Sequence, residues 1–376
     1  GLVSLNVGIG YTKTMNYSRK TAMQGNLTNA SIIDYILPRA DNFIPNQLGS
    51  EQAYNQIKAP YWDVVMAYGS KAIFMDVDGF YNSPLSPDDR VKKERYTTQS
   101  GYNGEYVFSF GGNISNKFYF GATLGIQDIS YENFVEYWEV AENGYVGNLD
   151  NLRYEEHFRI SGTGYNGKFG AIYRPIPQLR LGLAIHTPTF YYLTDEYIGY
   201  MDTEIYEPND DKYVIYGDGP ANPNLNEYRI NSPMRLIASG AYTFGKVGLL
   251  SVDYELVPYN GMRLKDRDYR NNFEADNQGI KDTYRAASNI RVGAEAWVID
   301  NLAFRAGFAY NQSPHKDYDL SKYTYSVGIG GKFGSFFTDF AYSLTTTKDY
   351  YKLYSSDLAT EKDSRSRFML TVGFRF

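Results

Sequence analysis

Large apolar residues fall on every second position in about a dozen separate runs of this chain. In the first run Val3, Leu5, Val7, Ile9 and Tyr11 share one face, and Ser4, Asn6, Gly8, Gly10 and Thr12 share the other. In the last, Phe368, Leu370, Val372, Phe374 and Phe376 alternate with Met369, Thr371, Gly373 and Arg375. A period of two is the signature of a strand with one apolar and one mixed face. No 18-residue apolar run occurs, so no transmembrane helix is expected. The mean hydropathy of −0.46 does not argue against a membrane, because strands of a barrel hide their apolar face in the alternation.

The runs are joined in a regular way. Short turns (Ser115-Asn116, Pro175 to Pro177, Gly245-Lys246, Asp300-Asn301, Gly334-Ser335) exchange with long polar connections near 134–151, 195–227 and 258–282. Short turns at one end and long loops at the other are the layout of an outer-membrane barrel. The closing run also resembles the C-terminal insertion signal of such barrels, which ends on Phe. The expected fold is all-β, a transmembrane antiparallel β-barrel of about 12 strands, forming one domain over 1–376. Residues 18–100 read as a long extracellular loop. Within it Asn29 to Leu37 reads as a helix, with Ser31 as N-cap, and Asp63 to Met75 as a second. A loop of this length in a compact fold is usually functional.

Composition agrees. Aromatics are 17% of 376 residues, with 38 Tyr and 22 Phe, as suits aromatic girdles at two membrane interfaces. There is no Cys, so no disulfide framework and no Cys-based metal site. A net charge of −6 gives no electrostatic case for nucleic acid. The chain begins at Gly1, already inside a strand, so an export signal is expected to have been removed.

With the apolar faces toward lipid, the other faces define a lumen. Its expected lining includes Lys168, Arg180, His186, Arg229, Arg235, Asp253, Glu255, Arg291, Glu295 and Arg305, with Lys332, Asp339, Arg367 and Arg375 further on. Both signs occur on neighbouring strands, which reads as cross-strand ion pairing that holds the lumen together. Two irregularities stand out. In strand four Phe158 and Ile160 are even and Phe169, Ala171 and Tyr173 odd, which predicts a bulge or kink at Gly162-Thr163-Gly164. Pro188 in strand five and Pro233 in strand six are expected to break the ladder.

His157, His186 and His315 are the only histidines and lie far apart in sequence. No metal spacing and no nucleophile, base and acid set can be assembled, so neither an enzyme nor a metal or other cofactor is expected. Glu207 with Asn209-Asp210-Asp211 reads as a solvated acidic loop rather than a divalent-ion site.

Strands four and five carry Gly162-Thr163-Gly164, Lys168-Phe169-Gly170, Tyr173-Arg174-Pro175, Leu179 to Ala184, Thr187 to Tyr191 and Leu193-Thr194-Asp195. This series resembles the FadL/TodX-type outer-membrane transporters, in the branch often labelled "hemin receptor". The resemblance implies a 14-stranded barrel with an N-terminal hatch, two strands and the hatch being absent here. It also implies inward carriage of hydrophobic compounds such as long-chain fatty acids without energy coupling, and release through a gap in the wall. The ligand groove would involve the long helical loops, making Ile32, Ile33, Ile36, Trp62, Val65 and Met66 candidates. Loop packing against the barrel is the competing account of the same six. The partners implied are a hydrophobic small molecule or lipid and the lipids of the cell outer membrane, with the protein a monomer. The alternative is a non-transporting barrel that partners a larger surface or secretion assembly.

Overall fold

The structure, a computed structural model, describes residues 1–25, 30–85, 90–141, 148–266, 273–352 and 358–374. Arg375 and Phe376, assigned above to the lumen and to the closing signal, lie outside the described residues. Among the described residues, twelve strands, several of them interrupted, form one antiparallel meander. They are β1 (Leu2–Asn16, continued by Arg19–Gln24), β2 (Val91–Ile114), β3 (Phe118–Ala141), β4 (Leu149–Ile176) and β5 (Leu179–His186 and Phe190–Glu207). Next come β6 (Asn224–Asn231 and Arg235–Phe244), β7 (Gly248–Pro258 and Arg263–Asp266), β8 (Ala286–Ile299) and β9 (Leu302–Asn311). The last are β10 (Lys322–Phe333), β11 (Phe336–Lys352) and β12 (Leu358–Phe374). Each strand pairs with the next, and the turns stay short at one end throughout. The sheet curls until its edges face each other. Arg19 of β1 forms ion pairs with Asp349 of β11 (3.4 Å) and with Glu361 of β12. Below that clamp no ladder joins β1 to β12 among the described residues.

The outward face follows the alternation. Val7, Phe108, Phe169, Leu183, Val327 and Leu370 are all exposed. Higher up, the outward face of β3 to β5 turns charged: Arg159 pairs with Glu132 (2.8 Å) and Arg153 with Asp202 (2.8 Å). Strands β2 to β5 therefore continue well past the apolar band. What reads in sequence as the loop 195–227 is largely the upper part of β5 and β6, with a hairpin strand Lys212–Asp218 on β5. The first long insertion likewise shrinks to 25–90, because the ladder runs on through Arg19–Gln24 and resumes at Val91.

The bulge expected in strand four is absent. β3 and β4 pair without a shift from Phe118↔Tyr173 to Val140↔Asn151. The change of phase is instead a change in which face is apolar. Phe169 points to the outer surface, whereas Leu152 and Tyr154, on the opposite parity, are buried against loop helices inside. Gly162 is still required: a Cβ there would lie 2.1 Å from the Tyr192 carbonyl oxygen. Gly101, at φ +118°, is in the same position against Ser130.

The backbone does change phase in the next three strands, at one height. Between the pairs Lys168↔His186 and Tyr165↔Phe190, β5 has one residue more than β4. The break at Thr187-Pro188-Thr189 faces the break at Ser232-Pro233-Met234 in β6. In β7 the ladder stops at Pro258 and resumes at Arg263, with two residues more than β6. Proline has no N–H to give the ladder, and each break contains or borders one. Inward and outward exchange across the break. Arg229 is accordingly a correction: it stands over the ring of Tyr192 on the outer side (5.6 Å), while its neighbours Tyr228 and Ile230 face in. Alternation carried past Pro233 gave it the wrong face.

Inside the upper barrel sits a helical cap. It comprises α1 (Ile33–Ala40), α2 (Pro45–Leu48), α3 (Ala53–Gln56) and α4 (Trp62–Gly69). α1 starts later than the 29–37 helix expected, and residues 26–29 lie outside the description. α4 ends at Gly69, where Asp63 to Met75 was expected to continue. Phe74–Met75 instead pairs with Tyr81–Asn82 as a small hairpin. A fifth helix, α5 (Glu274–Thr283), lies between β7 and β8.

Candidate functional site

Ser31 starts the cap. Its Oγ accepts the Ile33 N–H (3.1 Å), and its own N–H donates to Asp34 Oδ2 (2.7 Å). This reciprocal exchange satisfies donors that a helix N-terminus leaves free. Glu139 on β3 then anchors the helix to the wall. Its carboxylate accepts the Ile32 N–H (2.7 Å), the Ser31 hydroxyl and the Tyr137 hydroxyl (2.6 Å). An anionic group at the helix start also suits the helix dipole.

Apolar faces do the rest. Ile33, Ile36 and Ala40 of α1 and Val64, Val65, Met66 and Ala67 of α4 pack on Tyr137, Leu152, Met201 and Ile205 of the inner wall. Across the gap between α1 and α4, Arg39 donates to the Asp63 carboxylate and to the Pro60 carbonyl, with its guanidinium 4.6 Å from the Tyr35 ring. Burial pushes the Asp63 carboxyl up from the usual aspartate range, although Arg39 pulls it back. Burial likewise raises Asp218, which accepts a hydrogen bond from Tyr54 (2.9 Å).

The six ligand candidates Ile32, Ile33, Ile36, Trp62, Val65 and Met66 are brought together in this cap, none more than 4% exposed. Of these only Ile32 borders the adjoining cavity. That cavity, a vestibule of about 1370 Å³, lies between the cap and the inner faces of β4 to β7, with α5 near its edge. Its rings are Tyr35, Tyr154, Phe158, Tyr197, Tyr228 and Phe273. Its charges are Arg39 and Lys58 against Asp63, Glu156, Asp195, Glu227 and Asp276. Glu156 accepts a hydrogen bond from the Tyr154 hydroxyl (3.1 Å), and Asp195 one from the Asn226 amide (2.9 Å). Sequence reasoning missed nearly all of this lining. The even-numbered Tyr154 and Phe158, apolar on the inward parity of β4, were the available signal.

Below the vestibule polar side chains bond to one another across the inner face of the wall. Lys168 pairs with Glu105 (2.6 Å), which also accepts from Gln127 (3.1 Å) and Asn166 (3.1 Å). Asn103 donates to Gln127 (2.9 Å) and to Tyr191 (3.1 Å). Further round, Glu255 binds Arg291 (2.5 Å) and Arg235 (3.5 Å), and Arg305 bridges Glu295 (2.7 Å) and Asp339. Asp253 faces in beside its cross-strand neighbour Arg291, and His186 lies between its cross-strand neighbours Lys168 and Arg235. Arg180 is on the same inward parity but exposed, close to the turn. His157 packs edge-on to Phe134, and His315 bridges to Tyr284, so the three histidines do not converge. Among the described residues no metal-ligating cluster occurs. The acidic turn is held by its own bonds, Tyr206 to Asp211 (2.6 Å) and Lys212 to Asp210 (3.0 Å).

No family model matches the chain, and no curated protein matches it. Among solved structures, a Pseudomonas aeruginosa FadL homologue is similar at 15% identity, covering 79% of this chain and 77% of that one, with a TM-score of 0.49. The P. putida toluene transporter TodX is similar at 13% identity, covering 79% and 81%, with a TM-score of 0.46. The Ralstonia pickettii toluene transporter TbuX is similar at 14%, covering 76% and 78%, with a TM-score of 0.41. The fold rests on the ladders and side-chain faces described above, not on these likenesses.

Proposed function

We propose that this chain lies in the outer membrane and carries hydrophobic compounds inward without energy input. The observation that carries this reading is the aromatic-lined vestibule inside a sheet whose outer surface is an apolar band. Long-chain fatty acids are the class that the sequence resemblance brings. The part of such a ligand that the cavity supports is its apolar body. Release follows one of two routes, down the lumen or sideways at the break. The sideways route is supported by an apolar groove of about 640 Å³ on the outer wall, over Phe169, Leu183, Ile185, Leu236, Tyr254 and Leu256, next to the break. Among the described residues, β5 and β6 are joined at the break by two bonds between Thr189 and Ser232, at 2.8 and 3.0 Å, while on the other side Thr187 is bonded twice to Gly167, at 2.8 and 2.9 Å.

The test is uptake of a radiolabelled hydrophobic compound by cells producing the protein, set against cells without it. Equal uptake rejects transport. Because the chain has no Cys, a Thr189→Cys/Ser232→Cys pair can staple the break without competing thiols. Uptake that falls on oxidation and returns on reduction supports the sideways route; unchanged uptake leaves the route down the lumen.

One feature favours the second reading, a barrel that partners a surface assembly. The hairpin of Phe74–Met75 and Tyr81–Asn82 holds Phe74, Val77 and Phe80 in water, and Asp76 fixes its tip by accepting the Asp78 and Phe80 N–H groups (3.0 and 2.8 Å). A stable protein partner recovered from membranes with the intact hairpin, and lost with Phe80→Ser, would move the assignment to that reading.

A further inference from the structure

We infer that the break in β5 and β6 is an acid-sensitive seam, which a proton taken up by His186 loosens from the inside. The inference concerns the wall and not a cargo. The uptake reading enters only through what a looser seam would let pass.

Position comes first. His186 is the last residue of the lower ladder of β5, directly before Thr187-Pro188-Thr189. Its cross-strand neighbours are Lys168 on β4 and Arg235 on β6, and Arg235 is the first ladder residue after Ser232-Pro233-Met234. All three lie on the inward parity, opposite to the exposed Phe169, Leu183, Ile185 and Leu236. The row therefore crosses three strands just below the break. Residues directly opposite one another have Cβ atoms roughly 4.5–5.5 Å apart, and like charges in that relation destabilise the pairing.

Charge comes next. His186 is faced by Lys168 from β4, by Arg235 from β6, by Glu255 from β7 and by Glu105 from β2. Both carboxylates already serve other groups. Glu105 binds Lys168 (2.6 Å) and accepts from Gln127 and Asn166 (3.1 Å each), and Glu255 binds Arg291 (2.5 Å) and Arg235 (3.5 Å). A proton on His186 would set three positive charges side by side, with neither carboxylate free to take the third. Among the described residues the imidazole has no hydrogen-bond partner, so no neighbour fixes it in the neutral form. Imidazole is also the side chain whose ordinary titration lies close to neutrality.

The two sides of the row are unequally held. Toward β4, Thr187 and Gly167 exchange two bonds at 2.8 and 2.9 Å, and Lys168 is gripped at 2.6 Å. Asn166 also ties Glu105 to the Thr189 hydroxyl (3.1 and 3.2 Å). Toward β6, the bonds are those between Thr189 and Ser232, and Arg235 is held only at 3.5 Å with its side chain 54% exposed. Pro188 and Pro233 have no N–H to add. Repulsion thus acts on the β5–β6 side. Arg235 swings into the lumen, away from His186, and the Thr189–Ser232 bonds open.

The experiment follows amide exchange of Thr189 and Ser232 in the full chain, held in phospholipid nanodiscs without added ligand. Rates at about pH 7.5 and about pH 5.5 are compared after correction for the intrinsic pH dependence of exchange. Exchange at the break is expected to be at least about fivefold faster in acid, with β8 to β10 unchanged. In His186→Gln the two rates should agree to within about twofold, and in His186→Lys the fast rate should appear at both pH values. The acid effect in the unaltered chain should also shrink as salt is raised from about 0.05 to 0.5 M, a measurement that needs no variant. No acceleration in acid, an acceleration that persists in His186→Gln, or one that salt leaves intact overturns the inference. Each of those results leaves the uptake reading standing, because no cargo takes part. Equal uptake by cells with and without the protein, in turn, would leave the seam untouched.

Discussion

Arg39, Asp63 and Glu139 decide how firmly the cap is held. Glu139 takes three hydrogen bonds at the start of α1, one from a backbone N–H. Glu139→Ala removes the acceptor and leaves buried donors, at a cost of about 1–3 kcal/mol. Amide exchange in α1 should accelerate while exchange in β8 to β10 stays as it was; equal exchange in α1 would show that Glu139 anchors nothing. The acids also set a pH dependence. Asp63 and Asp218 are both shifted upward by burial. A raised carboxyl holds its proton more tightly in the folded state than in the unfolded one. Cap stability is then greatest at or below the ordinary aspartate range and declines as pH rises through the raised values. Exchange in α1 to α4, corrected for its intrinsic pH dependence, should therefore show weaker protection at pH 7 than at pH 4. In Asp63→Asn/Asp218→Asn that slope should flatten.

At the scale of elements, cap and barrel are stabilised by different means. The cap is a water-excluding core, and Ile36, fully buried, is at its centre. Ile36→Ala should cost about 2–5 kcal/mol. Limited proteolysis should then cut between α1 and α4, while the heat-modifiable barrel band on gels remains. Strand count, direction and the alternation of turns with loops were legible in the sequence, because a period of two directly reports a strand with one apolar face. The upper strands were not. There the apolar side faces the cap, as with Leu152 and Tyr154, and the outward side carries Arg153 and Arg159, so the same alternation reads as loop or as a slip. Pro188 and Pro233 did mark the break. Its effect on parity, which turned Arg229 outward, needed the register of three strands together. The cavity lining was the least legible, since α1, α4 and β4 to β7 supply it from stretches far apart in sequence.

At the scale of the molecule, one arginine ties first strand to last. Arg19 is bound by carboxylates of both β11 and β12 and is about one-third exposed. Arg19→Glu places three like charges at that seam. The temperature at which the folded band disappears from gels should drop, and Arg19→Glu/Glu361→Arg should recover most of the loss. An unchanged transition would mean that the clamp contributes nothing to closure. The strands also have an uneven reach. β3 has 24 residues, whereas β9 has ten. At about 3.3 Å per residue and a tilt near 40°, β3 spans roughly 60 Å of height, against an apolar band of about 25 Å. One side of the wall thus stands as a parapet well above the apolar band, with the vestibule at its inner foot. On the uptake reading proposed above, a solute arriving from water is met there before it touches lipid. Its rate of capture should follow its aqueous concentration, and compounds of equal aqueous concentration but unequal oil solubility should arrive equally fast.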